Sequence, residues 1–310
     1  MIRARSLFPR SFLPRSFLHG LPLLAGVALA LGGCMRTPPV VSAPHYTIGG
    51  GYEADGVWHY PREDLGYDRT GLASVYGDNA PRVTADGEAY DAQAMAGASP
   101  VLQLPCIARV TDLNTGRQLL LRINDRGPAN PGRILAVTPR AARLLGIPEG
   151  GVAEVRVQVE QGPSEALANA LGGGIQIKAA PMGGFQAASL APPPGVAAAG
   201  GAPVGQADRA NLPVARTPVP PLRLPEQLSQ VPPSPGALYI QSGSFGHSSD
   251  ALRAAARLSG LPNPRVIEIA GEGRMLYGVR TGPYTSVAQA DAALRASLSA
   301  GAVDATIIVQ

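Results

Sequence analysis

The apolar and polar positions of this chain fall into a strand-like block, a patternless stretch and a block that mixes helix and strand. Between residues 66 and 160, apolar side chains alternate with polar ones or run together in short β-branched stretches. Ile107-Ala-Arg-Val-Thr111, Gln118-Leu-Leu-Leu-Arg-Ile123 and Val152-Ala-Glu-Val-Arg-Val-Gln-Val159 are the clearest. Runs of this length, bounded by turn residues, predict strands. Asp112-Leu-Asn-Thr-Gly116 predicts the turn between the first two, because Asn and Gly tolerate the backbone angles of tight turns. One helix stands out, over Pro139–Leu145. Ala141, Ala142, Leu144 and Leu145 give it an apolar side, Thr138 caps it with Pro139 at the first position, and Gly146 ends it. The block is mainly β.

Residues 236–310 carry a pattern used twice. Leu238-Tyr239…Gly243-Ser244-Phe245 matches Leu276-Tyr277…Gly282-Pro283-Tyr284. A helical pattern follows each match: Leu252, Ala255, Ala256 and Ser259 in the first, and Ala290, Ala293, Leu294 and Leu298 in the second. Ser286 and Gln289 form a capping box before the second helix. A further strand closes each half, Arg265–Ala270 and Val303–Val309. The order βαβ, twice, predicts an α+β domain with a four-stranded sheet and two helices on one face.

Residues 161–235 hold 14 of the 31 prolines and few large apolar side chains. Such a stretch cannot bury enough surface to offset chain entropy. It predicts a disordered Pro/Gly/Ala-rich linker with an r.m.s. reach of roughly 45–50 Å. The candidate helix within it covers Ser164–Leu171. Residues 34–65 form a lead-in with glycines and aromatics, including Tyr46-Thr-Ile-Gly-Gly-Gly-Tyr52 and Trp58-His-Tyr-Pro61.

The first 33 residues contain Arg3, Arg5, Arg10 and Arg15 and no acidic residue, then the apolar run Leu21–Leu31, then Leu31-Gly-Gly-Cys34. A basic segment, a short apolar core and small residues before a cleavage point predict an export signal. Eleven apolar residues are too few for a spanning helix. The Cys after small residues resembles the lipobox of bacterial lipoproteins, which implies a lipid on Cys34. Met35 stands where Asp would favour inner-membrane retention, so the resemblance implies the outer membrane, facing the periplasm.

This segment changes the charge reading. The whole chain has formal charge +4, which invites a nucleic-acid partner. Removing the four signal arginines from the 26 basic side chains leaves 22, against 22 acidic ones. The mature chain is neutral, and the argument for nucleic acid is lost. Cys106 is then the sole thiol and reads as a small buried hydrophobe. The four histidines are scattered, no metal-ligand spacing exists, and no cofactor motif is present.

Four segments of the middle block, Gly71-Leu-Ala-Ser-Val-Tyr-Gly77, Thr84-Ala-Asp-Gly-Glu88, Val110-Thr-Asp-Leu-Asn-Thr-Gly-Arg117 and Arg122-Ile-Asn-Asp-Arg-Gly-Pro128, together resemble the rare lipoprotein A (RlpA) family of septal lytic transglycosylases. The resemblance implies a double-psi β-barrel over 66–160. The C-terminal repeat resembles the SPOR domain, which binds glycan strands lacking stem peptides. Together they imply cleavage of peptidoglycan glycan to 1,6-anhydro-muramyl ends at the division septum, with divisome proteins as further partners.

Lytic cleavage delivers a proton to the glycosidic oxygen and then activates a hydroxyl of the substrate itself. One carboxyl can serve as acid and then as base, unlike the carboxylate pair of hydrolases. It must stay protonated near neutral pH, through burial or a negative neighbour. Asp125 ends an apolar strand and by resemblance matches the family's catalytic Asp. Glu88 matches a second acidic site residue, positioned to raise the Asp125 pKa or to bind sugar. Tyr76 is a candidate sugar-stacking residue, and Asn124, Arg126 and Ser99 are candidate substrate contacts or braces. In the C-terminal domain Gln241, Ser242, Ser244, Phe245, Arg280 and Tyr284 are candidates for the glycan-facing surface. The chain departs from the family pattern at Ser99, where most members have His, at Ala136, where many have Asp, and at Val75, where Trp is common. These departures support a second reading, a non-catalytic glycan-binding lipoprotein.

Overall fold

The computed structural model describes residues 41–77, 80–173, 221–270 and 274–310. The expected signal segment 1–33, Cys34 and the middle of the expected linker lie outside the described residues.

The lead-in forms a hairpin, β1 (Tyr52–Ala54) and β2 (Val57–His59), in antiparallel register. Its two turn residues, Asp55 and Gly56, both have positive φ, 49° and 76°. Asp-Gly in that conformation matches the strand twist of a tight hairpin.

Six strands then close a barrel. They are β3 (Asp68–Val75), β4 (Ala96–Ala98), β5 (Cys106–Asp112), β6 (Arg117–Asp125), β7 (Leu135–Val137) and β8 (Val152–Val159). The order is β4-β7-β3-β8-β5-β6, and β6 pairs again with β4 to complete the ring. The β3–β7 and β4–β6 pairs are parallel and the others antiparallel. This is the double-psi β-barrel that the resemblance implies. Its core holds Leu102, Leu104, Leu119, Leu121, Ile123, Leu135, Val137 and Val155, each at most 1% exposed. The Cys106 thiol lies among them, and burial pushes its pKa up to about 12. Helix α1 (Pro139–Leu145) follows β7, with Thr138 Oγ1 accepting from the Ala141 N–H and Gly146 ending it at φ 87°.

The expected linker is ordered at both ends. Helix α2 (Gln161–Ala170) packs on β5, and its Ser164 Oγ accepts from the Ile107 N–H at 3.0 Å. Residues 221–235 run across the barrel as a strap. Leu224 packs on the core, and Glu226 makes a bidentate pair with Arg140. The strand β9 (Ser229–Gln230) adds to the first half of β6. At Gly116 (φ 73°) a Cβ would lie 1.9 Å from the Val231 carbonyl oxygen, so the turn tolerates glycine alone. Proline has no N–H to give to a ladder, but an edge segment needs few, so composition here does not decide order.

The C-terminal domain is β10 (Leu238–Phe245), α3 (Ser248–Arg257), β11 (Arg265–Ala270), β12 (Met275–Tyr284), α4 (Val287–Ser299) and β13 (Thr306–Val309). The sheet order is β11-β12-β10-β13, antiparallel throughout. Ala290, Ala293 and Leu294 of α4 are buried as the pattern predicts. In α3 the face is displaced by one position. Ala251, Ala254 and Leu258 are buried, and Leu252 is 61% exposed.

This domain packs directly on the barrel. Leu72 and Leu113 of the barrel share one apolar cluster with Ile240, Leu294, Ile307 and Val309. The Thr70 hydroxyl donates to the Val309 carbonyl at 2.6 Å. The buried Arg133 guanidinium forks onto Asp291 of α4 at 2.7 and 2.9 Å. The two domains are therefore not held apart by a long tether.

Candidate functional site

Asp125 is the last residue of β6. Gly97 of β4 stands opposite Ile123 and Ala98 opposite Asp125, so Asn124 is an extra residue in its strand. Such a bulge re-aims the side chains around it. Here it sends Asn124 towards Glu88 and Asp125 towards Tyr76.

The Asp125 carboxyl is 6% exposed and takes three hydrogen bonds. Oδ1 accepts from the Ala85 N–H at 2.9 Å and the Arg126 N–H at 2.8 Å. Oδ2 accepts from the Tyr76 hydroxyl at 2.9 Å. Burial raises its pKa above the usual carboxylate range, and those hydrogen bonds pull it part of the way back. The expectation that Glu88 supplies the shift is corrected: desolvation is the leading cause, and the Glu88 charge is not among the causes.

Glu88 is 4% exposed, and both its oxygens are engaged. Oε1 accepts from Arg122 Nε at 2.7 Å and pairs with Nη2 at 2.5 Å, while Oε2 accepts from Asn124 Nδ2 at 2.7 Å. This buried ion pair holds the turn of the Thr84–Glu88 segment against the end of β6. The geometry makes Glu88 a fixed anchor for Asn124.

Tyr76 bridges Asp125 to a second ring, Tyr90, at 5.2 Å between centroids. Burial, then the Asp125 charge, raises the Tyr76 pKa, so the phenol stays a donor. A cleft of about 150 Å³ is lined by Tyr76, Glu88, Tyr90, Asn124, Leu222 and Arg223. Two larger clefts, each about 440 Å³, have none of these residues in their walls. The last two lining residues of the small cleft belong to the strap, and Arg223 pairs with Asp91 at 2.5 Å. The strap thus forms one wall of the cleft that holds Tyr76, the hydrogen-bond partner of Asp125.

Arg126 is a brace. Its guanidinium donates to the carbonyls of Ser99, Leu102 and Ile48. Ser99 is 1% exposed, and its hydroxyl faces the N–H groups of Val101 and Leu102 at 3.4 Å. The structure spends that hydroxyl on its own loop, which corrects the expectation of a sugar contact. Ala136 sits on β7 at 4% exposure.

Sequence reasoning missed Asp86. Its carboxyl is fully buried. Oδ1 accepts from the Thr84 hydroxyl at 2.7 Å and the Glu88 N–H at 3.1 Å, and Oδ2 has no partner among the described residues. Burial, with the Glu88 charge adding to it, pushes its pKa up to about 7. No local signal marks it, since an Asp before Gly reads as a turn residue.

In the C-terminal domain the candidates divide. Gln241 and Arg280 are partly exposed and hydrogen-bonded to each other at 2.9 Å, with Arg280 over the Tyr239 ring at 5.6 Å. Ser244 is exposed. Ser242 is 4% exposed. Tyr284 is 8% exposed in the cluster shared with the barrel, its hydroxyl paired with Thr281 at 2.8 Å. Phe245 packs beside α3. Tyr284 is a core residue, correcting its expected place on the glycan-facing surface, while Phe245 is half-buried. Among the described residues no cluster of three His, Cys, Asp or Glu is placed to hold a metal ion.

Barrel and site together define a class: a double-psi barrel with a buried acid at the end of β6, carrying a small α+β domain behind it. Comparison with known proteins gives the family. The lytic transglycolase family model matches residues 68–157, and the SPOR domain model matches 234–308. An endolytic peptidoglycan transglycosylase RlpA of Pseudomonas aeruginosa is 30% identical over 274 residues, covering 81% of this chain and 74% of that one. Its namesake in Neisseria meningitidis is 35% identical over 127 residues, covering 40% and 53%. A crystal structure of the P. aeruginosa RlpA SPOR domain covers 24% of this chain and 99% of that one, at 24% identity and a TM-score of 0.22. The chain belongs to the RlpA family.

Proposed function

We propose that this protein is a lytic transglycosylase of peptidoglycan glycan and that Asp125 is its acid and base. The observation that carries this is the Asp125 carboxyl, rigidly held and raised in pKa at the end of β6. Oδ1 already accepts two N–H donors, so the carboxyl proton sits on Oδ2. From there it passes to the glycosidic oxygen as the C1–O bond breaks. The Tyr76 hydroxyl then donates to the carboxylate that remains. The muramyl C6 hydroxyl attacks C1, its proton returns to Oδ2, and the 1,6-anhydro ring closes. Glu88 holds Asn124 and Arg122 in place and transfers no proton.

The names of the relatives support the activity, and the SPOR domain supports a preference for strands without stem peptides at septa. The lipobox sequence supports an anchor at Cys34 and an outer-membrane location, checked by palmitate-analogue labelling that is lost in Cys34→Ser.

Digestion of stem-free glycan followed by mass analysis tests the chemistry. The parent forms anhydro-muramyl ends, with turnover falling as pH rises through the raised pKa of Asp125, and Asp125→Asn forms none. Equal cleavage by Asp125→Asn overturns the assignment. Glycan binding with no new ends favours the second reading, a non-catalytic binder, which rests on Ser99 and Ala136.

A further inference from the structure

The larger cleft between the lead-in and the SPOR domain has no role in the chemistry above. It measures about 440 Å³. One wall carries Trp58 and Tyr60, 56% and 69% exposed, their rings stacked at 6.3 Å and 21°. Two large aromatics so exposed on a short hairpin bury little of their own surface, and surface of this kind marks a binding site. The other wall carries Gln241, Ser242 and Ser244 from β10 and Thr306 from β13. His59 also lines the cleft. It is 9% exposed, and its Nε2 has no partner among the described residues. A buried polar atom left without a partner costs free energy that a ligand hydroxyl or amide can recover.

Most of the charged side chains around the cleft are engaged within the protein. Arg62 pairs with Asp64 at 3.2 Å, and Arg133 with Asp291. Asp304 accepts from the Gly243 N–H at 3.0 Å. Arg69 donates to the Asp68 carbonyl and lies over the Tyr67 ring. What remains for a ligand is aromatic faces, amides and hydroxyls. That set suits an uncharged sugar ring, whose apolar face packs on aromatics while its edge hydrogen-bonds. Among the described lining residues Arg69 is the one arginine with no salt bridge, so a phosphate or acidic ligand would find little charge to pair with.

We propose that this cleft is a second glycan subsite, in which Trp58 and Tyr60 stack on N-acetylhexosamine rings and Gln241, Ser244 and His59 bind their polar edges. It rests on the reading that the protein acts on glycan. Its position between the two domains lets the hairpin and the SPOR sheet hold one strand together, away from the cleft lined by Tyr76 and Glu88. Each aromatic is expected to change affinity several-fold.

Trp58 is the sole tryptophan of the chain, so its fluorescence reports on this cleft alone. The full chain is titrated with chitopentaose, an uncharged β-1,4 N-acetylglucosamine oligomer, and separately with stem-free glycan fragments. A saturable blue shift is expected with both, kept in Asp125→Asn and weakened at least five-fold in Tyr60→Ala and Gln241→Ala. Unchanged emission at chitopentaose concentrations that reach millimolar overturns the proposal, as does Tyr60→Ala binding as tightly as the parent. Sedimentation with glycan and anhydro-end formation are followed in the same samples. If both proceed while Trp58 stays silent, the cleft assignment fails and the catalytic reading stands. If neither proceeds but Trp58 responds to chitopentaose, the cleft stands and the catalytic reading fails.

Discussion

At the residue scale the Asp86 carboxyl has a measurable consequence. In the unfolded chain it titrates near 3.8, whereas in the barrel burial pushes it to about 7. The folded protein therefore holds a proton that the unfolded chain releases between those values. The contribution of Asp86 to stability is greatest below pH 4, falls as pH rises through this window and levels off above about 7. Each pH unit corresponds to roughly 1.4 kcal/mol for one fully shifted group. Asp125 is shifted in the same direction and adds to the slope. Asp86→Asn, neutral at every pH, is expected to flatten this fall, leaving the part due to Asp125. Urea unfolding at pH 4.5, 6 and 8 measures it. A variant whose stability declines as steeply as the parent's would show that Asp86 is not the titrating group. None of this was legible in Thr84-Ala-Asp-Gly-Glu88, because burial of a turn residue is decided by what crosses over it. Asp125 and Glu88 were legible because each sits in a short motif of the family, Asp125 at the end of a strand and Glu88 in a loop.

At the element scale, what could be read depended on how local the signal was. Helix α1 was readable to the residue, since Thr138, Pro139 and Gly146 set its ends through contacts within a few positions. The face of α3 was misplaced because Ala, Leu and Arg alternate so closely there that two registers look alike. Packing against β12 selects Ala251 and Ala254. The strap was read as linker because its composition is that of a linker, and its order comes from partners far off in sequence. Arg140, Asp91 and the Gly116 turn are those partners. Gly116→Ala puts a Cβ into the Val231 carbonyl at a positive φ. The variant is expected to lose about 1–3 kcal/mol, through strain at that position and loosened strap contacts. Limited proteolysis should then cut within residues 221–231, where the parent resists; equal resistance would show the strap does not depend on this contact.

At the scale of the whole molecule, the barrel and SPOR domain share an apolar cluster and a forked ion pair. Arg133 is 7% exposed, so removing Asp291 strands a buried cation. Loss of one partner of such a pair costs roughly 2–4 kcal/mol, below the fully buried case because the Asp291 side chain is 21% exposed. Calorimetry of the parent is expected to show one cooperative transition, and Asp291→Ala two, with the SPOR domain unfolding first. A single transition in both would mean that Leu72, Leu113 and the Thr70 bond couple the domains without it. Direct packing was not readable from sequence, since Leu72 and Leu113 look like ordinary barrel residues and nothing local says that a second domain covers them.

The ordered ends of the expected linker change what residues 174–220 connect. Helix α2 leaves that stretch seated on β5, and the strap that follows it is seated on β6, so the stretch departs from and returns to one body. The path from barrel to SPOR domain begins only after the strap. Both flanking segments are fixed to the barrel by their own contacts, so a change of length between them moves neither domain. That makes the stretch the natural place for insertions over evolutionary time and the first choice for grafting a fluorescent tag or an affinity handle.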